Sequence, residues 1–146
     1  MNLGKNTKIT RVIDATAAGT SDINGSTIDM QGFEGVLFTV GFDTITASAV
    51  TSIKVQQGDE SDASDMSDLE GTGVTVADTD DTSVAWIDLF RPAKRYVRVV
   101  VDRGTQNAVV DFGLAQQYGP RKMPTTHDAT TVLGGEFHAS PAEGTA

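Results

Sequence analysis

The sequence contains no cysteine. Disulfides and Cys-based zinc sites are therefore excluded, and cysteine usage leaves the redox compartment open. Proline occurs four times. Leucine is scarce beside valine, threonine and alanine, a bias that fits strands better than helices. No apolar run is long enough to cross a bilayer, so no membrane partner is expected. The opening MNLGKNTKITRV has no apolar core of the kind a secretory signal needs. Also missing are a G-x-S-x-G elbow, a phosphate-binding P-loop and a G-x-G-x-x-G turn. Lysine and arginine are absent from two long stretches, 55–90 and 124–146.

What is present points to one domain with an appended arm. The chain has 146 residues and a net charge of −9. A domain of that size buries roughly 70% of the surface its unfolded chain exposes and needs no covalent staple. The negative balance argues for solubility and against binding along a nucleic-acid backbone, which needs clustered cations. The charge is unevenly spread. Asp59, Glu60, Asp62, Asp65, Asp68, Glu70, Asp78, Asp80 and Asp81 form an acidic block, and RPAKRYVRVVVDR then supplies Arg91, Lys94, Arg95, Arg98 and Arg103. Such an order suits either pairing within the domain or a self-complementary surface.

Eight runs read as strands: 8–14, 26–30, 35–42, 50–57, 73–76, 83–90, 95–102 and 108–119. The clearest is GVLFTVGF, where Val36, Phe38, Val40 and Phe42 share one face. In SVAWIDLF, Ala85, Ile87 and Leu89 fall together, with Val84, Trp86 and Asp88 opposite. Val99, Val100 and Val101 run without alternation, as in a strand covered on both faces. Asn24-Gly25 is a two-residue hairpin signal. The segment SDASDMSDLE supports at most one helical turn inside an acidic loop. Turn spacing of this kind is typical of sandwiches and barrels, and one-faced strands must pack on a second sheet. The expected fold is all-β: a jelly-roll-like antiparallel β-sandwich over residues 1–119, including a short N-terminal lead-in, and an extended C-terminal arm over 120–146. Phe38, Phe42, Ile53, Ile87, Leu89, Val110, Phe112 and Leu114 are the expected inner layer.

Candidate chemistry is thin. A twelve-residue calcium loop begun at Asp59 has Ser64 where glycine is required, and its acids recur every third residue rather than every second. The arm contains His127, Asp128, Glu136 and His138, which are ligand types without a ligand spacing. Both histidines lie in the least structured segment, where preorganising a base is hardest. No enzyme activity, metal or cofactor is therefore expected. Trp86, Tyr96 and Tyr118 are the residues a sugar-binding sandwich would use, and filling a core or a subunit interface is the other reading of Trp86. In the arm, Val132, Leu133 and Phe137 are the large apolar residues, and they are expected to fill pockets on a neighbour. Arg91, Lys94 and Arg95 are expected to meet an acidic surface.

The segments AAGTSDINGSTIDMQGFEGVLFTVGF, RPAKRYVRVVVDR, AQQYGPRKMPTTHDA and EFHASPAEGTA resemble head decoration, or cement, proteins of tailed bacteriophages. The resemblance spans nearly the whole chain. It implies a structural virion protein on the outer capsid surface, made in the bacterial cytoplasm. Its implied partners are the major capsid protein and copies of itself, most simply as a homotrimer. The arm (Val132, Leu133, Phe137) and the basic turn (Arg91, Lys94, Arg95) are the expected subunit and capsid contacts. A carbohydrate-binding β-sandwich module of a virion is the alternative.

Overall fold

The computed structural model describes residues 2–145. A one-turn helix α1 (Leu3–Asn6) leads into eleven strands: β1 (Lys8–Ile13), β2 (Thr16–Gly19), β3 (Ile23–Asn24), β4 (Ile28–Asp29), β5 (Gly35–Ile45), β6 (Val50–Gly58), β7 (Ser67–Asp68), β8 (Val74–Val76), β9 (Val84–Phe90), β10 (Tyr96–Thr105) and β11 (Ala108–Tyr118). All described pairings are antiparallel. They form two sheets packed as a sandwich. The first runs β1-β11-β5-β9, with β2 also on β11. The second has β10 and β6 at its centre, β3 and β4 on the far side of β10, and β7 and β8 on the far side of β6.

The eight expected strands are all present. The three additional ones, β2, β3 and β7, are short and lie in segments that read as turn or acidic loop. Asn24-Gly25 does not make a hairpin. β3 and β4 both pair with β10 rather than with each other, and the Gly25 N–H donates to the Val99 carbonyl at 2.9 Å. A Cβ at Gly25 would collide with that same carbonyl, so glycine is there for close approach rather than for a turn. The acidic segment contains turns and β7, with no helix.

The core sits between the sheets. Val36, Phe38, Val40 and Phe42 of β5 face Ile53 and Val55 of β6 and Val97, Val99 and Val101 of β10, all essentially inaccessible. Each such side chain contributes roughly 1.5–3 kcal/mol of burial. Val100 is buried as well, yet stands outside this cluster, so the outer face of β10 is covered at this position, while Tyr96, Arg98 and Asp102 beside it are only partly buried.

One expectation about the core fails for a local reason. Along β11 the register against β5 shifts between Val110 and Phe112. This bulge adds a residue at Asp111 and reverses the alternation. Ala108 and Val110 point inward before it, and Gly113, Ala115 and Gln117 after it. Phe112 and Leu114 are thereby turned onto the outer face of the first sheet and are only partly buried.

Candidate interaction surfaces

The basic turn after β9 is largely committed within its own chain. Lys94 Nζ lies 3.0 Å from Asp59 and 3.5 Å from Asp65, so the acidic loop is its partner. The hydrogen bond to Asp59 pushes the Lys94 ammonium above its ordinary value. Asp65 also accepts the N–H groups of Asp59 and Glu60, and these two bonds hold its carboxyl below the usual range. Arg95 grips both oxygens of Asp29, at 2.9 and 2.7 Å, and reaches Gln31. That fork keeps Asp29 ionised to lower pH than a free aspartate. Arg98 donates to Gln56. Arg91 is the freest of the set: its one ion pair, to Glu34, is long at 3.7 Å and exposed.

Arg103 has a different task. It is only 5% exposed, and its guanidinium donates to the carbonyls of Ser21, Ala17 and Ala108 at 2.7–2.9 Å. Asp22 meanwhile accepts the Arg103 N–H. Three backbone carbonyls, two from the β2–β3 segment and one from the start of β11, thus converge on one buried cation. Arg91, Lys94, Arg95 and Arg121 do gather around one cleft of about 830 Å³ at an end of the sandwich.

The arm turns back on its own body. Thr125 N–H donates to the Lys5 carbonyl at 2.9 Å and Asp128 N–H to the Ile9 carbonyl at 3.4 Å. The N–H groups of Ile9 and Arg11 donate to His127 Nδ1 and Thr131 Oγ1. Residues 125–131 therefore cover the free edge of β1. His127 Nε2 faces the Gly4 carbonyl at 3.0 Å. With Nδ1 accepting and Nε2 beside a carbonyl, the neutral tautomer carrying its proton on Nε2 satisfies both contacts. Val132 is half-buried in a groove shared with Ile9 and His127. Leu133 is fully exposed. Phe137 is also exposed, with Lys5 Nζ 5.1 Å from its ring centre. His138 Nε2 lies 2.7 Å from a Glu136 carboxylate oxygen. Among the described residues, no group of three or more His, Cys, Asp or Glu side chains is placed to hold a metal.

The outer face of the first sheet is the surface that sequence reading missed. Trp86 is 61% exposed, so it fills no core. Val84 and Phe90 beside it on β9 are exposed too. The register sets Thr39 of β5 next to Trp86, and Leu114 of β11 next to Thr39. Leu37 and Phe112 lie on the same face, half-buried. Two glycines shape it. The Phe112 ring lies where a Cβ of Gly41 would be, and the Tyr118 ring where a Cβ of Gly35 would be. Because Gly35 has no side chain, Tyr118 reaches across β5 and donates its hydroxyl to Asp88 of β9 at 2.6 Å. Partial burial and the Asp88 carboxylate both disfavour the phenolate, and the Tyr118 hydroxyl is pushed up to about 12. The Val84-Trp86-Asp88 alternation was a visible signal for this face. The bulge that adds Phe112 and Leu114 to it had none.

No family model matches the chain, and no curated protein matches its sequence. Among solved structures, the crystal structure of PBSX exported protein XepA is similar, with a TM-score of 0.52 at 20% identity. The match covers 94% of this chain and 45% of that one, so the chain spans less than half of XepA's length. At that identity the likeness speaks to the fold: both chains build this kind of β-sandwich.

Proposed function

We propose that the chain is a structural virion protein that binds the outer surface of a phage capsid and reinforces the head, without catalysis or a cofactor. The observation that carries this reading is the apolar outer face of the first sheet: Val84, Trp86 and Phe90 exposed, Leu37, Phe112 and Leu114 half-buried beside them. A contiguous apolar face on a stiff domain marks a docking surface. A cement protein has no transition state to stabilise. Binding only the assembled lattice stabilises that lattice by mass action, and self-association makes weak contacts lasting. The cleft rimmed by Arg91 and Arg121 offers cations to an acidic capsid surface, and the exposed Leu133 and Phe137 add apolar anchors from the arm. The resemblance of four sequence segments to decoration proteins supports the same reading.

The test is binding of the purified chain to phage heads that lack it, measured by co-sedimentation. Leu114→Glu keeps a partner, because Arg11 is its cross-strand neighbour, but removes the apolar centre of the face. At least a tenfold loss of head binding with an unchanged fold is expected, corresponding to about 1.4 kcal/mol or more. Undiminished binding of the variant, or no binding by the native chain, would sink the proposal.

One observation favours a second reading. Trp86 is exposed and lines a groove of about 620 Å³ with Val74, Thr75 and Asp88, as a sugar-binding platform requires. Glycan-array binding abolished by Trp86→Ala would establish a carbohydrate-binding module. An array without hits would remove it.

A further inference from the structure

The two edges of the first sheet are treated differently. The β1 edge is covered by the arm. The β9 edge is bare: β9 ends the sheet path, and β5 is its one strand partner among the described residues. The phase of the β5–β9 ladder follows from its two ends. Phe42 N–H donates to the Ser83 carbonyl at 2.9 Å, and Arg91 N–H to the Glu34 carbonyl at 2.8 Å. Antiparallel ladders alternate, so Ser83, Ala85, Ile87, Leu89 and Arg91 turn their N–H and C=O groups toward β5. Val84, Trp86, Asp88 and Phe90 turn theirs outward. An edge of this length normally carries Lys, Pro or a bulge that discourages pairing. This one carries Val, Trp, Phe and a single Asp.

We infer that β9 is a self-association edge, and that a second copy of this chain pairs its own β9 antiparallel to it about a twofold axis at Ile87. Charge order along the chain identifies the occupant. Asp80 and Asp81 precede β9, and Arg91 follows it. Antiparallel pairing of two copies brings the acidic end of each against the basic end of the other. Centred on Ile87, the turn that begins at Arg91 of the second copy faces the turn that carries Asp80 and Asp81 before β9. Among the described residues, Asp81 is engaged through Oδ1 alone, by the Ile45 N–H. In this register every outward residue meets an outward residue. Val84 faces Phe90 of the second copy, Trp86 faces its Asp88, and each such pair exchanges two hydrogen bonds. The alternative register centred on Asp88 opposes two carboxylates, and the one centred on Trp86 leaves Phe90 facing Thr82, outside the strand. Space for the incoming strand exists in the groove between β9 and β8, where Val74 is partly exposed.

This contact is isologous, so it gives a dimer, where the phage resemblance implies a trimer. It runs the apolar outer faces of two copies into one sheet. It does not depend on what that face binds.

The experiment is the mass of the full chain by light scattering over a concentration series, with circular dichroism to verify folding. The native chain is expected to approach twice the chain mass. Trp86→Glu, at an exposed position, sets a carboxylate against Asp88 of the second copy and returns the protein to a monomer, weakening association at least tenfold. Adding Asp88→Lys to that variant converts the repulsion into an ion pair and restores the dimer, a rescue specific to this register. A native chain that stays monomeric or forms trimers only, a dimer indifferent to Trp86→Glu, or a double variant without recovery each overturns the inference.

Discussion

Deleting residues 124–146 tests how firmly the arm is attached. Its docked part, 125–132, shares six hydrogen bonds with the body: Thr125 donates to the Lys5 and Thr7 carbonyls and Asp128 N–H to the Ile9 carbonyl, the Ile9 and Arg11 N–H groups donate to His127 and Thr131, and His127 Nε2 pairs with the Gly4 carbonyl. At about 1 kcal/mol net each these supply about 6 kcal/mol, and half-burying Val132 adds about 1 kcal/mol. Ordering the eight residues costs about 1 kcal/mol apiece, or about 8 kcal/mol. The balance is within about 1–2 kcal/mol of zero. The truncated chain should therefore melt within about 2–4 °C of the full one. In the full chain, the amides of Thr125 and Asp128 should exchange with little protection while those of β5, β10 and β11 exchange slowly. On binding to heads the arm amides should gain protection, because a neighbour supplies the missing burial. Scanning calorimetry and hydrogen exchange measure both. A destabilisation above about 4 kcal/mol, or arm amides as protected as those of β10, would refute the reasoning, since the arm would then be an integral part of the fold.

Three further outcomes follow from single sites. Arg103→Met should lower stability by about 2–4 kcal/mol, because three carbonyls, the Ala108 one buried, lose a shared charged donor; Arg103→Lys should recover little, lacking the planar fork, and a loss under about 1 kcal/mol in urea melts would contradict this. Tyr118 should ionise late, near pH 12, as a component of the near-ultraviolet titration that Tyr118→Phe removes. The sign is set by the raised pKa: the contribution is complete below pH 10, the ordinary phenol value, and vanishes as pH climbs through about 12, so a late component surviving the substitution would refute the assignment. Gly41→Ala should destabilise by about 1–3 kcal/mol by lifting the Phe112 ring, and the loss should shrink on a Phe112→Ala background, with full additivity in denaturant melts as the contrary result.

The strands were legible because their periodicity is set by burial. Val36 to Phe42 alternate in the sequence as they do between core and surface. What stayed hidden depends on single insertions and on distant partners. A bulge at Asp111 moves Phe112 and Leu114 from one face to the other, and no composition rule marks it, since the residues on either side alternate correctly within themselves. Arg103 sits in a basic run with Arg95 and Arg98, yet it is the buried one, because inward and outward positions alternate along β10. The three apolar residues of the arm, Val132, Leu133 and Phe137, predict contact with a neighbour. Its polar residues, Thr125, His127, Asp128 and Thr131, are the ones that tie it to the body.

The charge distribution and the edges together constrain how this surface can be used. A chain of net charge −9 spends Lys94, Arg95, Arg98 and Arg103 on its own carboxylates, amides and carbonyls. Arg91 and Arg121 at the cleft are among the cations left to meet an acidic partner, while the net negative charge repels further copies at long range. Self-association must then be short-ranged, through apolar contact and backbone pairing, and it is directed by whichever edge is open. Covering β1 with an arm while leaving β9 bare gives the first sheet one reactive edge. A single such edge pairs once and stops, whereas two would propagate into a fibre. Under the proposed function, releasing the arm on a capsid would open the second edge only where a lattice is present to occupy it, and the weak attachment of 125–132 would then serve controlled assembly.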